Sequence, residues 1–263
     1  MADWKPLSPP RLHRLPLGVA FGRSVTGPVR QSNQDNLFIA PELNLVAVAD
    51  GMGGHAAGDV ASAAAIELLC ERLAAARDPD ATWPGAAAPA LRTLRDAVAF
   101  ANDTMYRRNV ALGHGDGTGM GTTLTGMWQP SPHAPALVFH VGDSRLYCQR
   151  AGVLTRLTRD QTLYQQAVDL GLPEPLPPRN LLLQAVGPGP TVDPQLLAYD
   201  TAPGDVYLLC SDGLHGDCAD ADIAGILAGA TPATLQACCD ALLALAERDG
   251  SRDNITALLL YCG

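Results

Sequence analysis

The sequence predicts an α+β domain built mostly from antiparallel sheets. Three observations carry this prediction. Short apolar runs bounded by turn residues recur along the chain. Helical segments come in pairs, one pair in each half. Strands follow one another through short turns rather than alternating with single crossover helices, so a βαβ repeat is not the pattern.

The elements follow in order. "LGVAF" (17–21), "NLFIA" (36–40) and "LVAVA" (45–49) read as strands. "PELN" (41–44) supplies the Pro and Asn of a tight turn, which makes the second and third a hairpin. Residues 57–76 are Ala-rich, with Val60, Ala64 and Leu68 on one side, and read as a helix. "DPDATWPGAAAP" breaks it. A second helix runs over 90–109, with Leu91, Leu94, Val98, Ala101 and Met105 at three- and four-residue spacing. Strands return in "TTLTGMW", "ALVFHVG", "RLYCQR" and "GVLTRLT". Residues 160–190 are mixed, and "LPEPLPPRN" reads as an exposed loop. "QLLAYD" and "DVYLLCSDG" are strands, 219–229 and 232–248 helices, and "NITALLLY" a final strand. No internal linker or repeat divides the chain. Residues 1–16 read as an irregular Pro-rich arm and 17–263 as one domain.

Composition narrows the function. The 263 residues are 47% hydrophobic, enough for a substantial core. A net charge of -9, with no basic run, argues against nucleic acid as a partner. The longest apolar stretches fall well short of the ~20 residues that span a bilayer. The N-terminus lacks the apolar region of a signal peptide. Seven cysteines form no CxxC pair and sit mostly in apolar segments, as reduced core thiols do in the cytoplasm. A cytoplasmic monomer that binds no membrane is the expectation.

The aspartates form a pattern. Asp35-Asn36 begins a strand and Asp50-Gly51 ends the next. In a hairpin the two ends share one sheet edge, so Asp35 and Asp50 are predicted neighbours. The C-terminal half repeats the device in reverse: Asp212-Gly213 ends a strand and Asp253-Asn254 begins one. Asp143 sits in a turn between two further strands. Any one of these could be an ordinary turn residue. Five at strand ends suggest a common site. If they converge, several carboxylates cannot all stay ionised unaided. Oxygen-only ligands favour Mg²⁺ or Mn²⁺ over zinc. Two such ions sharing a carboxylate lower the pKa of a water between them, and a phosphate ester is the natural substrate.

"Gly51-Met52-Gly53-Gly54-His55-Ala56" also matches a dinucleotide-binding glycine pattern. That reading needs a βαβ unit, and here a second helix follows the first.

The ordered set "RQSNQD", "VADGMGGH", "MGTTLTG", "HVGDSRLY", "LLCSDGL" and "RDNITALLL" resembles the metal-dependent protein phosphatase 2C family in its compact bacterial form, over residues 17 to 261. The resemblance implies an α-β-β-α sandwich, two antiparallel sheets packed face to face with a helix pair outside each. It implies a serine/threonine protein phosphatase with two Mn²⁺ or Mg²⁺ ions, hydrolysing phosphoserine and phosphothreonine by attack of a metal-bridged hydroxide. By this resemblance Asp50 bridges both ions and the Gly51 carbonyl ligates one. Asp212 and Asp253 hold the second, and Asp35 contributes directly or through water. Asp143 with Asp212 holds a third, weaker ion. Arg30 matches the arginine that grips the phosphate, and a planar guanidinium suits that task. His55 matches a histidine near the substrate that can act as general acid.

Partners would be phosphoproteins that a serine/threonine kinase has modified. The chain departs from the family pattern at Gln161, where a histidine is usual, at Gln184, where an arginine is usual, and in a short Pro-rich flap. The other functional class considered is a silent phosphatase-like domain that only binds a partner. Loss of a bridging acid would mark it, and Asp50, Asp212 and Asp253 are all present.

Overall fold

The computed structural model describes residues 8–53, 57–76, 87–132 and 134–263. His13–Leu15 (β1), Gly18–Val25 (β2), Asp35–Ala40 (β3) and Leu45–Met52 (β4) precede the helices Gly58–Ala75 (α1) and Ala87–Ala111 (α2). Next come Gly121–Thr122 (β5), Leu124–Trp128 (β6), Ala136–Val141 (β7), Arg145–Arg150 (β8) and Val153–Arg156 (β9). After the short helix Leu163–Asp169 (α3) lie Gln195–Tyr199 (β10) and Val206–Cys210 (β11). Helices Asp212–His215 (α4), Asp220–Leu227 (α5) and Leu235–Arg248 (α6) precede the last strand, Ile255–Cys262 (β12).

Two antiparallel sheets result, as the sequence predicts. One runs β1-β2-β12-β11-β8-β9, the other β10-β7-β6-β4-β3 with β5 against β4. Their inner faces meet in a layer that includes Leu37, Val46, Met127, Leu209 and Leu258. Helices α1 and α2 cover the outer face of the second sheet, through Ile66, Leu69, Leu94 and Val98. Helix α6 covers the outer face of the first, with Leu235, Cys239 and Leu242 buried. The order is therefore α-β-β-α.

Several expectations are corrected in detail. The arm over 1–16 is not irregular throughout, because His13–Leu15 pair with Gly18–Ala20 and bury Leu15. The core stripe of α1 runs through Ala61, Ala65, Leu69 and Leu73, and Val60 is exposed. Two neighbours, the sheet and α2, cover this helix, so its buried arc is wider and offset from the stripe that spacing alone suggests. Helix α3 arises inside the stretch that reads as mixed. Thr162 caps it, its hydroxyl accepting from Gln165 N at 3.1 Å. All seven cysteines are free thiols, six of them buried.

Candidate active site

The β3–β4 hairpin forms, and Asp35 and Asp50 are direct cross-strand partners. Strands β11 and β12 also pair antiparallel, which brings Asp212 and Asp253 to one edge. Their contact is intimate: a Cβ on Gly213 would lie 2.0 Å from the Asn254 carbonyl oxygen. Only glycine fits there. At the opposite motif a Cβ on Gly51 would lie 1.9 Å from the Gly58 carbonyl oxygen. That glycine lets β4 run directly against the start of α1.

The two edges converge on a single cleft of about 970 Å³. Asp50, Asp143, Asp212 and Asp253 line it together with Gly51 and Arg30. Burial and mutual repulsion raise the carboxyl pKa values. Asp50 is pushed well above the usual carboxylate range by burial, then by Asp35, Asp212, Asp143 and Asp253. Asp143 rises to about 8 through burial and then Asp212. Asp212 is raised by burial and then Asp253, and its Oδ1 is buried without a hydrogen-bond partner. Such a cluster calls for positive charge.

Asp35 sits differently. It is 1% exposed and does not line the cleft. Its Oδ2 accepts from Ser211 Oγ at 2.7 Å and from Thr256 Oγ1 at 2.6 Å, so its carboxyl joins the two sheets beneath the floor. Burial lifts its pKa to about 7, against the pull of these hydroxyls.

Arg30 lies in the loop between β2 and β3 and is half exposed. Its Nη2 donates to Asp253 Oδ2 at 2.6 Å. Asn254 holds the loop that carries it. The Asn254 Nδ2 donates to the carbonyls of Thr26 and Ser32, both at 2.9 Å, and its Oδ1 accepts from Gln34 N at 2.8 Å. The Gln34 carbonyl accepts in turn from Gly51 N. One side chain thus ties the Arg30 loop to both halves of the site.

The Asp143 turn is supported from below. His215 Nε2 donates to the Asp143 carbonyl at 2.9 Å. Gln161, where the family usually has histidine, accepts from Gly142 N through its Oε1 at 2.9 Å. Gln184 accepts from Asp193 N. His55 and Gly54 lie outside the described residues. Ser211, Thr256 and Asn254 hold Asp35 and the Arg30 loop by hydrogen bonds, and sequence reasoning does not single them out. The signal was present: Thr256 interrupts an apolar strand run, and Ser211 and Asn254 flank the two aspartates.

The donor set fits a hard divalent ion, being carboxylates with a backbone carbonyl nearby and one buried oxygen still without a partner. Among the described residues no three His, Cys, Asp or Glu side chains close on one point. Water would therefore complete the coordination, as is usual for Mg²⁺-like ions.

The family model for protein phosphatase 2C matches residues 29–259. The chain belongs to the protein phosphatase 2C family. The serine/threonine protein phosphatase PstP of Mycobacterium tuberculosis is 37% identical over 242 residues, 90% of this chain and 43% of that protein. The chain thus spans less than half the length of this relative. The serine/threonine phosphatase stp of Listeria monocytogenes is 31% identical over 251 residues, 90% of this chain and 93% of that one. The solved catalytic domain of PstP in complex with two manganese ions superposes with a TM-score of 0.75 at 34% identity, covering 92% of this chain and 96% of that one. The phosphatase 2C fold is therefore present almost in full.

Proposed function

We propose that this chain is a metal-dependent serine/threonine protein phosphatase that hydrolyses phosphoserine and phosphothreonine directly, with no phosphoenzyme. One observation carries the reading: Asp50, Asp143, Asp212 and Asp253, from four separate chain segments, line one cleft with Arg30. Relatives bearing the name serine/threonine phosphatase support it.

Asp50 would be shared by two ions, with the Gly51 carbonyl on one and Asp212 and Asp253 on the other. Asp143 with Asp212 would hold a third, weaker ion. When bound, Mn²⁺ or Mg²⁺ supplies positive charge to the phosphoryl oxygens and lowers the pKa of water. Asp35, held by Ser211 and Thr256, contributes through water and sets the field at Asp50. Arg30 leaves Asp253 to take the substrate phosphate by two parallel hydrogen bonds, stabilising charge on the transferring group. His55 gives a proton to the departing serine or threonine oxygen. The substrates are phosphoproteins opposed by a serine/threonine kinase. The chain acts as a monomer in the cytoplasm.

The test is turnover of p-nitrophenyl phosphate and of a phosphothreonine peptide. Activity should need Mn²⁺, stop with EDTA and vanish in Asp212→Asn. No turnover of either substrate with Mn²⁺ would overturn the reading and leave a silent binding domain.

A further inference from the structure

The flap beside the cleft carries an apolar surface that catalysis does not use. Among the described residues, six of the twelve exposed large apolar side chains fall between Leu163 and Leu183. Such a concentration marks a contact surface rather than chance exposure.

Two backbone segments meet at this wall of the cleft. Thr162 and Leu182 form an antiparallel bridge. Leu163 N donates to the Leu181 carbonyl at 2.9 Å, and Leu183 N to the Gln161 carbonyl at 2.7 Å. Thr162 is buried, 3% exposed, whereas Leu163 and Leu181 are 37% and 43% exposed. Leu163, Leu181 and Leu182 line the same cleft as Arg30, Asp50 and Asp212, and of these three leucines of the ribbon, Leu163 and Leu181 are the exposed pair.

The ledge is pre-organised. The Thr162 hydroxyl caps α3. Arg179 stacks over the Tyr164 ring at 4.5 Å and donates to its hydroxyl. Gln161 fastens the base of the ribbon to Gly142, next to Asp143. Apart from Arg30, the described cleft lining contains no cation. Acidic residues beside the phosphorylated one would meet no second cation here, while an apolar one would find Leu163, Leu181 and Leu182.

We infer that Leu163 and Leu181 form a subsite for an aliphatic or aromatic side chain adjacent to the phosphorylated serine or threonine of the substrate. This rests on the phosphatase reading above. The continuity of the ledge with the cleft makes the substrate its occupant, since Arg30 and the leucines line one cleft and a peptide whose phosphate lay at Arg30 would extend its neighbouring residues along that lining.

The experiment compares kcat/KM of the Mn²⁺-loaded full chain for two phosphothreonine peptides that differ only in Leu or Gln at the positions flanking the phosphothreonine. The wild type should prefer the Leu peptide by about ten-fold, the discrimination that one buried aliphatic side chain supports. In Leu163→Gln and in Leu181→Gln the ratio should fall toward one. Leu181 lies outside any helix, so its variant carries the test if Leu163→Gln disturbs α3, with thermal melts to check folding. If the wild type hydrolyses p-nitrophenyl phosphate but takes both peptides equally, the subsite is wrong and the phosphatase reading stands. A preference that survives both substitutions also overturns the subsite. If neither p-nitrophenyl phosphate nor peptide is hydrolysed, the phosphatase reading itself falls, and the subsite with it.

Discussion

Arg30 donates to Asp253 at 2.6 Å, so the arginine matched to phosphate binding rests on a carboxylate matched to metal binding. The pair links two tasks. An ion drawing on Asp253 would free Arg30 for the substrate, and the substrate phosphate would replace the charge that Arg30 gives up.

Arg30→Ala should raise KM for a phosphothreonine peptide by at least about ten-fold, since a charge-assisted bidentate contact is worth about 1.5–3 kcal/mol. The effect on kcat should be smaller. Steady-state kinetics with saturating Mn²⁺ checks this, and unchanged KM and kcat would remove Arg30 from the site.

The carboxylate cluster should destabilise the metal-free chain. Burial and neighbouring acids raise the Asp50 pKa, so its ionised form is disfavoured in the fold and costs stability at neutral pH. In EDTA, Asp50→Asn should therefore melt higher than wild type, where each kcal/mol corresponds to about 2–4 °C for a domain of this size. With Mn²⁺ the order should reverse, because only the wild type gains from the ion. Scanning calorimetry with and without Mn²⁺ decides, and an Asn variant that melts lower in both conditions would argue against mutual repulsion.

Asn254→Ala should loosen the loop over 26–34. Three hydrogen bonds end on this buried side chain. These bonds are part-buried, so each is worth about 0.5–1.5 kcal/mol, since water can reach the freed backbone partners. The variant should melt several degrees lower and lose activity, and hydrogen exchange should rise first at Gln34 N. Protection there equal to wild type would show that another contact holds the loop.

His140 should make stability fall on acidification. It is fully buried, its Nε2 donating to the Arg159 carbonyl and its Nδ1 accepting from Thr125. Burial pushes its pKa down from 6.5 to about 4, with Asp160 opposing. Its neutral form is the folded one. As pH drops below 6.5 the unfolded chain takes up the proton and the folded chain does not, so stability is lost until about pH 4 and levels off below. Between pH 7 and 5 this amounts to about 2 kcal/mol. Asp35 and Asp143, with raised pKa values, act in the opposite sense. The difference in urea stability between wild type and His140→Gln isolates the histidine. That difference should shrink by about 2 kcal/mol from pH 7 to 5, and a constant difference would refute the assignment.

Much of the site was legible because its acids sit at strand ends. A strand that ends in Asp-Gly and another that begins with Asp-Asn identify a sheet edge, and hairpin pairing then makes Asp35 and Asp50 neighbours by necessity. The supports were less legible. Ser211, Thr256 and Asn254 are ordinary polar residues whose partners lie 45 to more than 200 positions away. Helix α3 hid in a Pro-rich stretch, because a seven-residue helix has too few turns to show a period.

The sequence by itself determined most element types, the β3–β4 hairpin, the antiparallel α+β class and the identity of the clustered acids. These follow from local periodicity, turn chemistry and strand register, which adjacent residues encode. Only the tertiary structure decided that Asp35 lies beneath the cleft on hydroxyls from the other sheet, that α1 buries Ala61 and Leu69 rather than Val60, and that Leu163 and Leu181 border the carboxylates. Each depends on how two sheets and their helices pack, and that is set by the shape of the whole core rather than by any segment within it.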